Sequence, residues 1–198
     1  MVRLVFAAAF VAAGLGSAQA ADPAFDCTRA EHEIEVLICG DDALAAKDRA
    51  LAAVYDEALA ATAEMGDAEA AAQYLRTTQR GWIGGRDECW KAEDKTACTA
   101  DLYDRRIAEL QVRYGLVAAG KPHFYRCDDN SEIVASFVDT EPPTVRLERG
   151  DTTEIGFIAP SGSGSRYEAS FGISFWIKGD TAMVEWPQGT AFDCATSD

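Results

Sequence analysis

The sequence predicts two architectures in series, an all-α helical bundle held by disulfides and then an all-β, eight-stranded antiparallel barrel. Three observations carry this prediction. Composition changes near residue 117, from Ala, Leu, Glu and Arg, which favour helix, to alternating apolar residues, Gly and β-branched types, which favour strand. Apolar residues in the first half recur at helical steps, while the second half breaks into about eight short strand candidates. All six cysteines lie beyond residue 20, and an even count in an exported chain implies disulfides.

Export is read from Met1 to Ala20. Arg3 supplies a positive charge, Leu4 to Leu15 is apolar, and Ala18-Gln19-Ala20 fits the small-residue rule for signal-peptide cleavage. The apolar stretch is short for a membrane span, and no later segment approaches the required length. A lipoprotein signal would place a Cys directly after that stretch, whereas the first Cys is Cys27. The expectation is a cleaved, soluble, periplasmic or secreted protein without a membrane anchor. Its parts are a signal peptide at 1–20, a helical domain at 21–117 and a barrel domain at 121–198.

In the helical part, a short helix is expected between Cys27 and Cys39. Leu44, Leu51, Tyr55 and Leu59 mark the next helix, with Asp41 or Asp42 as its cap. A second long helix begins near Asp67, carries Leu75, Trp82 and Cys89 on one side, and weakens at Gly84-Gly85. A third runs through Leu102, Tyr103, Ile107, Leu110 and Tyr114. Ala118-Ala119-Gly120-Lys121-Pro122 reads as the junction. Strands are expected near 123–127, 131–138, 143–149, 153–158, 165–170, 172–178, 180–186 and 190–194. Asp129-Asn130, Gly150-Asp151 and Gly179-Asp180 supply turns. Eight short strands in under 80 residues favour a closed barrel, which leaves no free edge. Ser161-Gly162-Ser163-Gly164-Ser165 interrupts the pattern as an exposed loop.

The chain has 18 basic and 33 acidic side chains, a net charge of −15. That balance repels nucleic-acid phosphates. It suits a basic partner, although acidity also serves solubility alone. Glu31, His32 and Glu35 share a spacing that can hold a metal, but surface helices produce such spacing often, and no metal or cofactor is expected. Ser163 sits between glycines without the G-x-S-x-G of a nucleophile elbow. The Gly-rich loop lacks the Gly-Lys-Ser/Thr of a phosphate loop. No pair of carboxylates is singled out for glycoside hydrolysis, so no enzyme is expected. Trp82, Trp90, Phe175 and Trp176 are expected in the core or half-buried. On pattern alone Lys178 is a solvated strand-end lysine, and fifteen cysteine pairings remain open.

The second half resembles the MliC/PliC family of c-type lysozyme inhibitors. The matching pieces are Tyr125-Arg126-Cys127, then Ser161 to Tyr167, then Phe175-Trp176-Ile177-Lys178-Gly179-Asp180 with Ala182, and finally Cys194. The resemblance implies an eight-stranded barrel tied by Cys127 and Cys194. It implies that Ser163 and Lys178 reach into the lysozyme cleft, with Gly162, Gly164, Ser165, Arg166 and Tyr167 forming and anchoring the loop. One departure is an extra residue between Tyr167 and Phe175. The first half resembles the LprI N-terminal family through Phe25-Asp26-Cys27, Glu35 to Cys39, Leu44 to Asp48 with Tyr55, Gln79-Arg80-Gly81-Trp82 with Arg86-Asp87-Glu88-Cys89, and Cys98 with Arg106 to Leu110. Within these two regions the expected pairs are Cys27–Cys39, Cys89–Cys98 and Cys127–Cys194. The functional expectation is an exported inhibitor that occludes the cleft of a c-type lysozyme and protects bacterial peptidoglycan. The rival is a periplasmic scaffold or envelope-interaction module that binds no lysozyme.

Overall fold

The computed structural model describes residues 22–187, 189 and 191–197. The signal peptide expected over 1–20 therefore lies outside the described residues.

Four helices form the N-terminal region: α1 (Glu33–Gly40), α2 (Asp42–Ala61), α3 (Ala68–Asp87) and α4 (Lys95–Arg113). Each begins where a polar side chain takes up the N–H groups that the first turn leaves unpaired. Asp41, Asp67 and Asp94 cap α2, α3 and α4. His32 caps α1: its Nδ1 accepts from the backbone N–H of Ile34, while Glu35 accepts from the N–H groups of Glu31 and His32. The Glu31/His32/Glu35 spacing is thus that of a capping box.

The helices bury Ile34, Ile38, Leu44, Leu51, Leu75, Tyr103 and Leu110 against one another. Cys27–Cys39 ties the segment before α1 to its last turn, and Cys89–Cys98 ties the turn after α3 to α4. α3 runs through Gly84-Gly85 and ends two residues later, at Asp87. Its last turn is held by Arg86, 4% exposed, whose guanidinium donates to Asp87 at 2.7 and 3.0 Å and to the Tyr103 hydroxyl at 3.1 Å. Trp90 is exposed, because the 3-10 turn that sends Cys89 inward to its disulfide puts the next side chain outside.

A polar line crosses this apolar core. Arg86 donates to Tyr103, Tyr103 donates to Asp48 at 2.8 Å, and Asp48 also accepts from the backbone N–H of Ala24 at 2.7 Å. Burial pushes the Tyr103 phenol well above its ordinary range, so it stays a neutral donor. Arg106 makes a second tie between α4 and α3, donating to Gln79 at 3.0 Å and Thr78 at 3.2 Å.

The C-terminal region is a closed antiparallel barrel of β1 (His123–Cys127), β2 (Glu132–Val138), β3 (Thr144–Arg149), β4 (Thr152–Ala159), β5 (Ser165–Glu168), β6 (Ser174–Lys178), β7 (Thr181–Glu185) and β8 (Phe192–Thr196). Each strand pairs with its sequence neighbours, and β1 pairs with β8, where Cys127 faces Cys194 and is bonded to it. Alternate residues point inward, and Tyr125, Ile133, Val145, Leu147, Phe175 and Val184 fill the interior. The turn residues Asn130, Gly150 and Gly179 all adopt positive φ, as the sequence signals require. The junction is pinned to the barrel rather than a loose tether. Ala119 bridges Val138, Gly120 donates to the Phe137 carbonyl, and Val112 and Val117 pack with Val138, Ile155 and Phe157.

Replacing Tyr103 by Phe removes the hydroxyl on which Asp48 and Arg86 both depend while keeping the ring. The loss of stability should be about 1–3 kcal/mol, the cost of buried polar groups left short of partners. Thermal or urea unfolding measures it; an unchanged midpoint would show that the polar line does not hold α2, α3 and α4 together.

Candidate functional site

The rim where β4 leads into β5 and β6 turns into β7 brings the loop 161–165 beside Lys178. Three local constraints set the geometry. The first is the register of the β5–β6 hairpin, with Ser165 opposite Ile177 and Arg166 opposite Trp176. It sends Phe175 and Ile177 into the barrel and leaves Trp176 and Lys178 on the outer face.

The second is Gly164, whose φ is +67°. A Cβ there would lie 2.0 Å from the Ile177 carbonyl oxygen and 3.2 Å from Cγ of Lys178. The loop therefore passes against β6 and the stem of Lys178 at a distance that only glycine allows. Gly162 is different, since a Cβ there meets nothing within 4 Å. Ser161 Oγ donates to the Gly164 carbonyl at 3.1 Å and closes the loop on itself.

The third is the Trp176 side chain. Its Nε1–H donates to the backbone carbonyl of Ser163 at 2.8 Å, and its ring lies under the Lys178 ammonium, 3.6 Å from Nζ to the ring centroid. One indole therefore fixes both the loop tip and the lysine. The Ser163 side chain is exposed, and its hydroxyl has no hydrogen-bond partner among the described residues. Lys178 has no ion pair among them, and its exposed ammonium sits over the ring quadrupole. At the base, Arg166 pairs with Glu168 at 3.1 Å, and Tyr167 is buried with its ring 5.6 Å from that of Phe137. Burial pushes the Tyr167 phenol up. Tyr167 can thus anchor the loop but offers little surface. Ser165 opens β5.

The sequence reading placed Trp176 among packing aromatics and missed its double role. Sequence offered little signal for it, since an outward-facing indole N–H can bond to water as well as to the protein. Its acceptor, a loop carbonyl thirteen residues away, is set by the fold. Between Tyr167 and Phe175 the chain makes the turn Ser170–Gly172, where Phe171 adopts φ 58° and is 84% exposed, at the opposite end of the hairpin from Lys178.

The rim thus presents a glycine-locked loop and a lysine without an ion pair among the described residues, on a disulfide-tied barrel. Residues 125–192 match the family described as membrane-bound lysozyme inhibitor of c-type lysozyme (MliC), and residues 26–110 match the lysozyme inhibitor LprI family. The chain is 28% identical over 179 residues to Lipoprotein LprI of Mycobacterium bovis and of Mycobacterium tuberculosis, spanning 89% of this chain and 86% of each relative. An uncharacterized protein of Rhizobium meliloti is 32% identical over 114 residues, spanning 48% of this chain and 82% of that protein. No solved structure matches the chain. The chain thus joins an LprI-type N-terminal region to an MliC-type C-terminal region, both of lysozyme-inhibitor families.

Gly164→Ala and Gly162→Ala should separate sharply. The first adds a Cβ to a positive-φ position already in contact with β6 and should cost about 2 kcal/mol or more; the second should stay within about 0.5 kcal/mol. Melting temperatures of the two variants decide this, and equal effects would contradict the loop geometry.

Proposed function

We propose that this protein is an exported inhibitor of c-type lysozyme, and that it works by filling the enzyme's cleft with the loop 161–165 and Lys178. The observation that supports the mechanism is that one indole, Trp176, contacts both the Ser163 backbone carbonyl and the Lys178 ammonium at the rim. A c-type lysozyme cleft holds two carboxyl groups, one kept protonated by an apolar pocket and one ionised in a polar setting. An inhibitor that enters must satisfy both or leave them buried and unpaired. Lys178 offers an ammonium with three donors to the ionised carboxylate, and Ser163 offers a hydroxyl that donates or accepts toward its partner. The preset loop loses little freedom on docking. No bond is made or broken, so the inhibition is stoichiometric.

The site of action follows from the chemistry of the cysteines and the relatives. The three disulfides fit an oxidising, extracytoplasmic compartment. Among the described residues no helix is long and apolar enough to cross a membrane. The mycobacterial relatives are named lipoproteins. In this chain the Cys27 sulfur is bonded to Cys39 and is not available to carry a lipid. We therefore place the protein in the envelope or outside the cell after cleavage near Ala20, where it shields peptidoglycan. We also propose that the barrel, 121–198, is the inhibitory domain and 21–117 a separate domain.

Purified protein titrated against a c-type lysozyme tests this reading. Lys178→Ala should weaken inhibition by about 2–5 kcal/mol, because a desolvated carboxylate loses its partner. Ser163→Ala should cost about 1–2 kcal/mol, one hydrogen bond to a polar or charged group. Neither should change the melting temperature. A folded Lys178→Ala protein as potent as the parent would remove the lysine from the mechanism, and no inhibition by the parent would favour a scaffold role.

Association should also slow as salt rises. The barrel segment 121–198 holds 6 basic and 13 acidic side chains, a net of −7. Charge of one sign steers a basic partner in and is screened by ions. An association rate indifferent to ionic strength would leave the acidity as a solubility feature.

A further inference from the structure

The helical region carries a cleft of its own that the barrel mechanism does not use. It lies where α2 and α3 meet the segment before α1, with a volume of about 290 Å³. Tyr55, Trp82 and Phe25 supply aromatic wall, and Leu51, Ala52 and Ile83 supply aliphatic wall. Ile83 is an exposed large apolar residue at its mouth.

The charges of the lining decide what it can take. Its one cation, Arg86, is 4% exposed, and its guanidinium is spent on Asp87 and Tyr103. Asp48 is buried at the same depth of the core, with Tyr103 and the Ala24 N–H on its two oxygens. What remains within reach of a ligand is negative. Asp56 is exposed and has no hydrogen bond or ion pair among the described residues. Glu35 uses only Oε2 in the α1 capping box, which leaves Oε1 open. The His32 backbone N–H, donating to it, holds the Glu35 carboxyl below its ordinary range. An anion entering this cleft would meet carboxylates and no free cation.

We propose that this cleft is a binding site for a cationic side chain of a basic protein partner, arginine in the first place. Aromatic faces attract a guanidinium through their quadrupole; Trp82 already has Arg86 5.8 Å from its ring centroid, so Tyr55 and Phe25 are the faces left to an incoming group. Two carboxylates with open oxygens offer it charge-assisted hydrogen bonds. Leu51, Ala52 and Ile83 take up the apolar stem that long cationic side chains bury. A guanidinium meets these demands better than an ammonium, being planar and more weakly hydrated. The proposal stands apart from the barrel mechanism, since it involves neither Ser163 nor Lys178, and either can fail without the other.

The test uses the purified full protein and N-acetyl-L-argininamide as probe, followed by the Trp82 indole N–H resonance, assigned with Trp82→Phe. Saturable shifts are expected with a Kd in the millimolar range, as for a single side chain. The lysine analogue should bind more weakly. Asp56→Lys, at an exposed position without a structural partner, should weaken the argininamide titration at least tenfold while leaving the melting temperature unchanged. Glu35→Gln serves as a second variant, read only if its fold is intact, and should also weaken binding. Absence of a saturable shift overturns the proposal. So does an Asp56→Lys protein that binds as the parent does, or a cleft that responds to N-acetylglucosamine and not to the cation.

Discussion

A closed sheet has no freedom of register. Once β8 pairs with β1, with Cys127 opposite Cys194, every hairpin around the ring must keep its inward and outward residues in phase. In β6 that phase sends Phe175 and Ile177 inward and Trp176 and Lys178 outward. The site rests on this alternation. A slip of one residue would bury the lysine and expose Phe175. The cross-strand disulfide sits at the seam where the ring closes, and so it guards the arrangement on which the opposite rim depends. In the entropic picture a bridge over such a long loop restrains the unfolded chain by about 4 kcal/mol, which matters in so small a core.

The helical region solves the same problem of size by other means. Two short-range disulfides and a polar line from Asp87 through Arg86 and Tyr103 to Asp48 tie three helices together. Every member of that line has a partner, which is the condition for buried charge to be tolerated at all. The seam with the barrel is modest and apolar: Val112, Val117, Val138, Ile155 and Phe157, with the Arg105 guanidinium 5.2 Å above the Phe157 ring. The two regions touch, yet each keeps its own core.

The barrel was legible because its signals are local. Period-two alternation and Asn or Gly at the turns placed all eight strands within a few residues, and β1 without error. Pairing of the cysteines was not legible from spacing alone; the family resemblance supplied Cys127–Cys194, and confinement to short loops of the helical region supplied the other two. Helix ends were harder. Gly84-Gly85 marks where α3 ends to within a turn, but not that Arg86 is held there by Asp87 and Tyr103, contacts that only the folded chain creates. Trp90 was expected in the core or half-buried because aromatic residues usually are, and it is exposed beside the disulfide-bonded Cys89. At the site, the motif pointed to Ser163 and Lys178, but not to what holds them. The Trp176 indole finds its acceptor across the hairpin on a loop carbonyl, and sequence carries no trace of that pairing. The separate necessity of Gly164 over Gly162 is likewise a matter of distance to Ile177.

The central claim is that the rim built on Trp176 enters the lysozyme cleft rather than some other face of the enzyme. The most direct measurement is competition: the affinity of the protein for a c-type lysozyme, determined with and without a saturating oligosaccharide substrate analogue in the cleft. Occlusion predicts mutual exclusion, with the apparent Kd rising in proportion to the analogue concentration. A complex that forms with equal affinity on the filled cleft would contradict it.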